Sequence, residues 1–130
     1  MLPLAVMLLL ITHASISKAD RGPRKVRIEM DEFGFTVSDS VLEKGRPVAL
    51  TLTNKGKVLH EFEGDLFKGA AVEMSWEGGA VEGIEIHEVE LAPGKSAEIL
   101  FTPRVKGKIE FVCKQQGHLE QGMKGTILIR

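Results

Sequence analysis

One loop near the C-terminal end limits what this chain can fold into and bind more than any other stretch. The loop carries the single cysteine of the chain, Cys113, followed five positions later by His118 and five positions after that by Met123. Apolar, strand-like segments precede it at 107–112 and follow it at 126–129. A thiolate, an imidazole and a thioether therefore lie on one loop, and a second imidazole would complete the His₂Cys set with a weak axial Met that blue copper sites use.

These three residue types suit a metal that changes between two oxidation states. A soft thiolate binds copper strongly, imidazole suits Cu(I) and Cu(II), and a distant thioether favours the reduced ion without imposing one geometry. Taken one at a time, a strand cysteine is usually a small buried apolar residue, a loop histidine is usually solvated and a methionine usually fills a core. Their combination in this order between two strands favours the interpretation as ligands of one copper ion.

The N-terminal segment predicts export. Its apolar run at 1–11 is far shorter than the ~20 residues of a membrane span, and small residues at Ser17 and Ala19 form a cleavage site. We interpret 1–19 as a signal peptide and 20–130 as one domain, without an integral membrane span in the mature chain. The alternatives are cleavage after Ala14 and an uncleaved leader that acts as an anchor. An exported chain with one cysteine cannot form an internal disulfide, and a periplasmic or other extracytoplasmic copper site would account for the thiol.

Charge and patterning favour a small all-β domain. A formal net charge of −1 is too mild to indicate nucleic acid as a partner. The 14 glycines and the short alternating segments predict an eight-stranded Greek-key β-sandwich. The predicted strands are 25–30, 33–45, 47–53, 58–62, 84–91, 96–101, 107–112 and 126–129. The glycine-rich stretch 64–83 is predicted to be irregular, with one helical turn around 66–71.

The second imidazole has two candidates in the predicted domain, His60 and His87. His60 follows a turn signal that contains Asn54 and begins the run His-Glu-Phe. His87 lies between glutamates in Ile-Glu-Ile-His-Glu-Val-Glu, which is typical of a solvated strand face. We therefore favour His60 as the second nitrogen ligand.

At this point the chain resembles the cupredoxins, the small blue copper proteins related to plastocyanin and azurin. The resemblance covers most of 25–130. The matching elements are Asn54-x5-His60-Glu-Phe62, Ala92-Pro-Gly94-Lys, Phe101-Thr-Pro103 and Gly107-Lys-Ile-Glu-Phe-Val-Cys113-x3-Gly-His118-x3-Gly-Met123-Lys-Gly125. The Cys-x4-His-x4-Met spacing is most similar to proteins of the rusticyanin and auracyanin type.

The resemblance implies a cupredoxin-like β-sandwich with copper near one end. It implies His60, Cys113, His118 and Met123 as the ligands, and one-electron transfer between larger redox proteins as the function. We expect transient redox partners, a monomer, and His118 as the electron port beside an apolar docking patch of Leu119, Met74 and Phe67. Many relatives have Asn directly after the first ligand histidine to brace the ligand loops, where this chain has Glu61. The dinuclear copper variant needs a second cysteine on the loop, so one copper ion is expected.

Two functions of other classes compete with electron transfer. An exported protein that buffers or delivers copper would use Met74, His87 and Glu61 as part of a transfer route. A metal-free interaction domain would leave Cys113 as an inert core thiol. An enzyme is not expected, because the four histidines of the chain are too few for a second copper cluster.

Overall fold

The computed structural model describes residues 22–130, so the predicted leader and its cleavage site lie outside the described residues. Across this range every regular element is a β-strand. Eleven strands form two sheets, one of six strands and one of five. Within the described range there is no helix that could cross a membrane.

The strands are β1 (Arg24–Asp31), β2 (Gly34–Val37), β3 (Val41–Leu42), β4 (Val48–Asn54), β5 (His60–Gly64), β6 (Ala71–Trp76), β7 (Gly79–Ile84), β8 (Glu88–Leu91), β9 (Ser96–Phe101), β10 (Gly107–Val112) and β11 (Lys124–Ile129). The six-stranded sheet has the order β2-β1-β4-β9-β6-β7, and the five-stranded sheet has the order β3-β11-β10-β5-β8. Neighbouring strands are antiparallel except for β1 with β4 and β3 with β11, which are parallel.

Alternation of apolar and polar residues explains which face of each strand is buried. In β4 the side chains of Val48, Leu50 and Leu52 are buried, and the residues between them are only partly covered. The five-stranded sheet contributes Phe62 and Phe111, whose rings lie 4.7 Å apart in the core between the sheets. Full burial of a side chain of this size contributes ~1.5–3 kcal/mol, so the packed interior holds the two sheets face to face.

The all-β class is confirmed, but residues 22–130 contain eleven strands rather than the eight predicted. The largest difference lies in the stretch predicted to be irregular, where β6 and β7 form an antiparallel hairpin. Val72 is the one fully buried residue of this hairpin, because the hairpin lies at the edge of its sheet. In β6 the apolar Val72, Met74 and Trp76 do alternate with polar residues, but this signal is short, and the glycines near either end of β7 favour irregular chain in the sequence.

The predicted second strand at 33–45 is split between the two sheets. Gly34–Val37 pairs with β1 in the six-stranded sheet, whereas Val41–Leu42 pairs with β11 in the other. The chain crosses from one sheet to the other between them, and Asp39 accepts a hydrogen bond from the backbone N–H of Val41 at 3.1 Å in this crossing. One continuous strand in the sequence pattern therefore serves as a corner of the sandwich.

Two shorter predictions also need correction. The strand predicted at 84–91 begins only at Glu88, because Glu85 has a positive φ of 60° that interrupts the extended backbone. The helical turn predicted around 66–71 is a hydrogen-bonded turn, in which Lys68 N–H donates to Asp65 and Ala70 N–H donates to Phe67. Neither change moves the strands that carry the predicted ligands.

Strand directions bring three loops to one end of the sandwich. β1 and β4 are parallel, so the connection after Asp31 lies beside the turn after Asn54. β10 pairs with β5 so that Val112 faces Glu63, which sets the loop after β10 next to the start of β5. The loops 32–33, 55–59 and 113–123 therefore meet at the same end.

Candidate metal centre

Three predicted ligands meet at this end of the molecule. The Nδ1 atom of His118 lies 3.4 Å from the Sγ atom of Cys113, and the Nδ1 atom of His60 lies 3.9 Å from it. The two imidazole rings have centroids 5.0 Å apart. All three donor atoms lie within 4.8 Å of one another, a spacing that allows one ion to contact all of them.

Cys113 is placed by the alternation of β10. Phe111 is fully buried on the inward face, and Cys113, two residues later, continues on that face with no exposed surface. The backbone N–H of Glu61 donates a hydrogen bond to its Sγ atom at 3.4 Å. The sulfur is thus removed from water and held by the neighbouring strand.

His60 is the first residue of β5 and is fully buried. The turn before it is held by Asn54, whose side-chain amide donates to the carbonyls of Val58 at 2.8 Å and Leu91 at 2.7 Å. The Asn54 side-chain oxygen accepts the N–H of Gly56 at 2.8 Å. This one buried amide fixes the path of the chain into His60.

The far nitrogen of the His60 ring faces a carboxylate. Its Nε2 atom lies 3.6 Å from Oε1 of Glu32 and is a buried polar atom without a hydrogen-bond partner in the described range. Burial, and next the neighbouring His118, lower the pKa of His60, which favours the neutral ring that metals bind. The hydrogen bond from the Lys57 backbone lowers the pKa of Glu32 and keeps it ionised. No pattern in the sequence links Glu32 to His60, so only the structure reveals this contact.

His118 lies on the loop between β10 and β11 and is partly exposed. The edge of its ring packs against Phe33, with centroids 5.4 Å apart and an interplanar angle of 82°. The loop bends at Gly117 and Gly122, which have φ values of 82° and 85° that only glycine adopts easily. His118 therefore belongs both to the cluster of candidate ligands and to the molecular surface.

Met123 ends the ligand loop and is fully buried. Its backbone N–H donates to the carbonyl of His118 at 3.1 Å, and its own carbonyl accepts the N–H of Cys113 at 3.1 Å. The backbone therefore ties the three residues of the Cys-x4-His-x4-Met stretch to one another.

The other predicted participants lie elsewhere. His87, the second candidate for the imidazole, is 60% exposed and lies 3.2 Å from Glu85 and 3.7 Å from Asp65. Phe67 is fully buried in the core, and Met74 lies in β6 opposite Ile99. The docking patch predicted from Leu119, Met74 and Phe67 is therefore wrong, because Phe67 has no exposed surface and Met74 lies within the six-stranded sheet, between β9 and β7.

The donor set fits copper. One thiolate and two imidazole nitrogens select a soft or borderline ion such as copper or zinc rather than Mg²⁺ or Ca²⁺, which prefer oxygen ligands. A buried methionine beside such a set is the combination used by blue copper sites. The buried Nε2 atom of His60 has Glu32 as the nearby carboxylate that a metal-bound imidazole usually faces on its second nitrogen.

Comparison with known proteins shows that the sequence is similar to a known domain family and to a copper-resistance protein. The profile of the family described as Cupredoxin-like domain matches residues 1–129. The copper-resistant cuproprotein CopI of Rubrivivax gelatinosus is 30% identical over 116 residues, which cover 86% of this chain and 70% of that protein.

Solved structures share the fold at lower sequence identity. A dithionite-reduced auracyanin of Roseiflexus castenholzii has a TM-score of 0.53 at 19% identity, covering 82% of this chain and 96% of that one. The copper-containing nitrite reductase of Thermus scotoductus has a TM-score of 0.65 at 17% identity, covering 85% of this chain but only 32% of that one. This chain thus corresponds to nearly the whole of an auracyanin and to one part of a larger enzyme.

Proposed function

Because the chain belongs to the cupredoxin family, we propose that it holds one copper ion between His60, Cys113, His118 and Met123 and acts as an exported one-electron carrier. The observation that carries the proposal is the cluster of one thiol sulfur and two imidazole nitrogens within 4.8 Å at one end of the sandwich. Bound copper supplies a one-electron couple between Cu(II) and Cu(I).

The residues of this chain would exclude water from the copper ion and hold its ligands in place. Cys113 and His60, both without exposed surface, keep water away from the metal position. The Glu61 N–H and the Asn54 side chain hold the sulfur and the approach to His60 in place before any metal arrives. Such preorganisation keeps the ligands in one arrangement during electron transfer, so little reorganisation is required.

Electron exchange with partners is proposed to occur through His118. Its ring is partly exposed, and it is adjacent to the exposed Leu119 and in edge contact with the exposed Phe33. A small apolar surface of this kind suits brief contacts with redox partners, whose interfaces are at the lower end of the size range. We expect the protein to act as a monomer in these encounters.

A catalytic role is not part of the proposal. The nitrite reductase that shares the fold is a larger protein, since 85% of this chain covers only 32% of it. In the described residues the second group of three close metal-binding side chains consists of carboxylates, Glu61, Glu88 and Glu90, rather than the further histidines that a multicopper enzyme needs.

Copper buffering or delivery is the second candidate. It is favoured by the relative from Rubrivivax gelatinosus, which is named a copper-resistant cuproprotein. The route expected from Met74, His87 and Glu61 receives no support, because Met74 lies in the six-stranded sheet, whereas Glu61 lies in the other and His87 outside the strands.

Voltammetry of the copper-loaded protein in the presence of a Cu(I) chelator separates the two functions. An electron carrier gives a reversible one-electron wave whose height persists over many cycles, because the buried Cys113 and Met123 retain the reduced ion. A wave that decays while the chelator acquires copper after reduction would contradict the carrier and favour delivery. The oxidised protein, incubated with the chelator without cycling, is the control.

A further inference from the structure

A carboxylate ties the strand of His60 to the loop that follows Cys113. Glu61 is the residue after His60, so its side chain is on the opposite face of β5 from the metal. One oxygen of this carboxylate accepts the backbone N–H of Lys114 at 3.1 Å, and the other accepts the side-chain amide of Gln115. Both donors belong to the loop that carries three of the proposed ligands.

A negative charge on the Glu61 carboxylate is unfavourable at this position unless hydrogen-bond donors stabilise it. The residue is only 8% exposed, and its carboxylate lies within 4.8 Å of those of Glu88 and Glu90. A hydrogen bond with Glu90, burial and the charge of Glu61 together raise the pKa of Glu88. The two hydrogen bonds from the loop after Cys113 stabilise this charge, because an ionised carboxylate can only accept hydrogen bonds and both of these groups donate one to it.

The same residue also touches the proposed sulfur ligand. The Glu61 backbone N–H donates to the Sγ atom of Cys113 at 3.4 Å. Glu61 therefore contacts Cys113 through its main chain and the next residue, Lys114, through its side chain. Movement of β5 away from the ligand loop would break both contacts.

We propose that Glu61 is a positioning residue of the metal centre, which holds the loop after Cys113 in its ligating conformation and lowers the reduction potential of the bound copper through its buried negative charge. The inference rests on the copper-binding function proposed above. A nearby negative charge stabilises Cu(II) more than Cu(I), and the interaction is weakly screened where the carboxylate is removed from water.

The variants Glu61→Gln and Glu61→Ala separate the charge from the hydrogen bonds. Glutamine keeps an oxygen for Lys114 N–H, so Glu61→Gln is expected to bind one copper with an unchanged visible spectrum but at a higher reduction potential. Alanine removes both hydrogen bonds, and loss of such outer contacts typically lowers metal affinity about 10–100-fold.

Glu63→Gln is the matched control. Glu63 lies on the same face of β5 and pairs with the side chain of Lys114, but this ion pair is more exposed to water. Its removal is expected to change the potential less than Glu61→Gln does. A wild-type potential in Glu61→Gln, or an equal change in Glu63→Gln, would overturn the electrostatic part of the proposal.

Amide hydrogen exchange of the copper-free protein tests the positioning part without the metal. Exchange of the Lys114 N–H is expected to be slow in the wild type and in Glu61→Gln, and fast in Glu61→Ala. Wild-type exchange in Glu61→Ala would refute the positioning role. If the wild type took up no copper, the proposed function would fail while the exchange result still decided whether Glu61 holds the loop.

Discussion

At the scale of single residues, the candidate metal centre depends on buried polar side chains that bind backbone groups of the neighbouring turns. Asn54 is the clearest case. It is fully buried, and its amide bridges the carbonyls of Val58 and Leu91, which belong to the turn before His60 and the end of β8. A buried carbonyl that loses its donor costs about 1–3 kcal/mol, so this one side chain is important for both stability and ligand placement.

We expect Asn54→Ala and Asn54→Asp to lower the free energy of unfolding of the copper-free protein by about 2–4 kcal/mol. Aspartate has the same shape but places a carboxylate against two carbonyl oxygens, so it should not rescue the alanine variant. Urea denaturation measures the effect. Thr53→Ala is the control, because the Thr53 hydroxyl pairs with Ser96 on the exposed surface, and a change within about 0.5 kcal/mol is expected. A stable Asn54→Asp protein would contradict the role given to the amide donors.

At the scale of elements, the strands that flank the ligand loop are packed too closely for ordinary side chains. Phe111 of β10 faces Gly125 in β11 and Gly64 in β5. A Cβ atom at Gly125 would collide with the Phe111 ring, and one at Gly64 would lie 2.7 Å from the carbonyl oxygen of Glu110. Gly125 therefore leaves room for the fully buried Phe111 ring, and Gly64 leaves room for the backbone of β10.

Gly125→Ala should therefore destabilise the protein by about 1–3 kcal/mol, as overpacking in a core usually does. Gly83→Ala is the matched control, because Gly83 is also a strand glycine but a Cβ there would meet nothing within 4 Å. The control should change the free energy of unfolding by less than about 1 kcal/mol. Equal effects in the two variants, measured by denaturant unfolding, would show that the close approach to Phe111 is not what requires the glycine.

The strands and loops differ in how much of them could be predicted from the sequence. Cys113, His118 and Met123 are local in sequence, so their spacing already places three soft donors on one loop, and His60 follows a recognisable turn. The hairpin β6–β7 was missed although Val72, Met74 and Trp76 alternate with polar residues in β6, because the many glycines of this stretch favour irregular chain in a sequence. Glu32 and the pairing of Glu61 with Lys114 were not predicted, because contacts between distant residues depend on strand register, which the sequence pattern does not specify.

At the scale of the whole molecule, the residues that stabilise the fold and the residues proposed to bind copper lie in different places. The core between the sheets supplies the packing, while the three loops at one end bring together the residues that would bind copper and meet a partner. The exposed side chains of Phe33 and Leu119 lie at this end beside the partly exposed His118. The proposed function therefore requires that a single copper ion binds through Cys113 at this end of the sandwich.

Visible absorption during titration of the protein with Cu(II), beside a Cys113→Ser variant, tests this requirement most directly. We expect an intense thiolate-to-copper band that saturates at one copper per chain and is absent in the variant, because the band requires a Cu–S bond. A colourless wild-type protein, or a band that persists in Cys113→Ser, would contradict the proposed site and the electron-carrier function built on it.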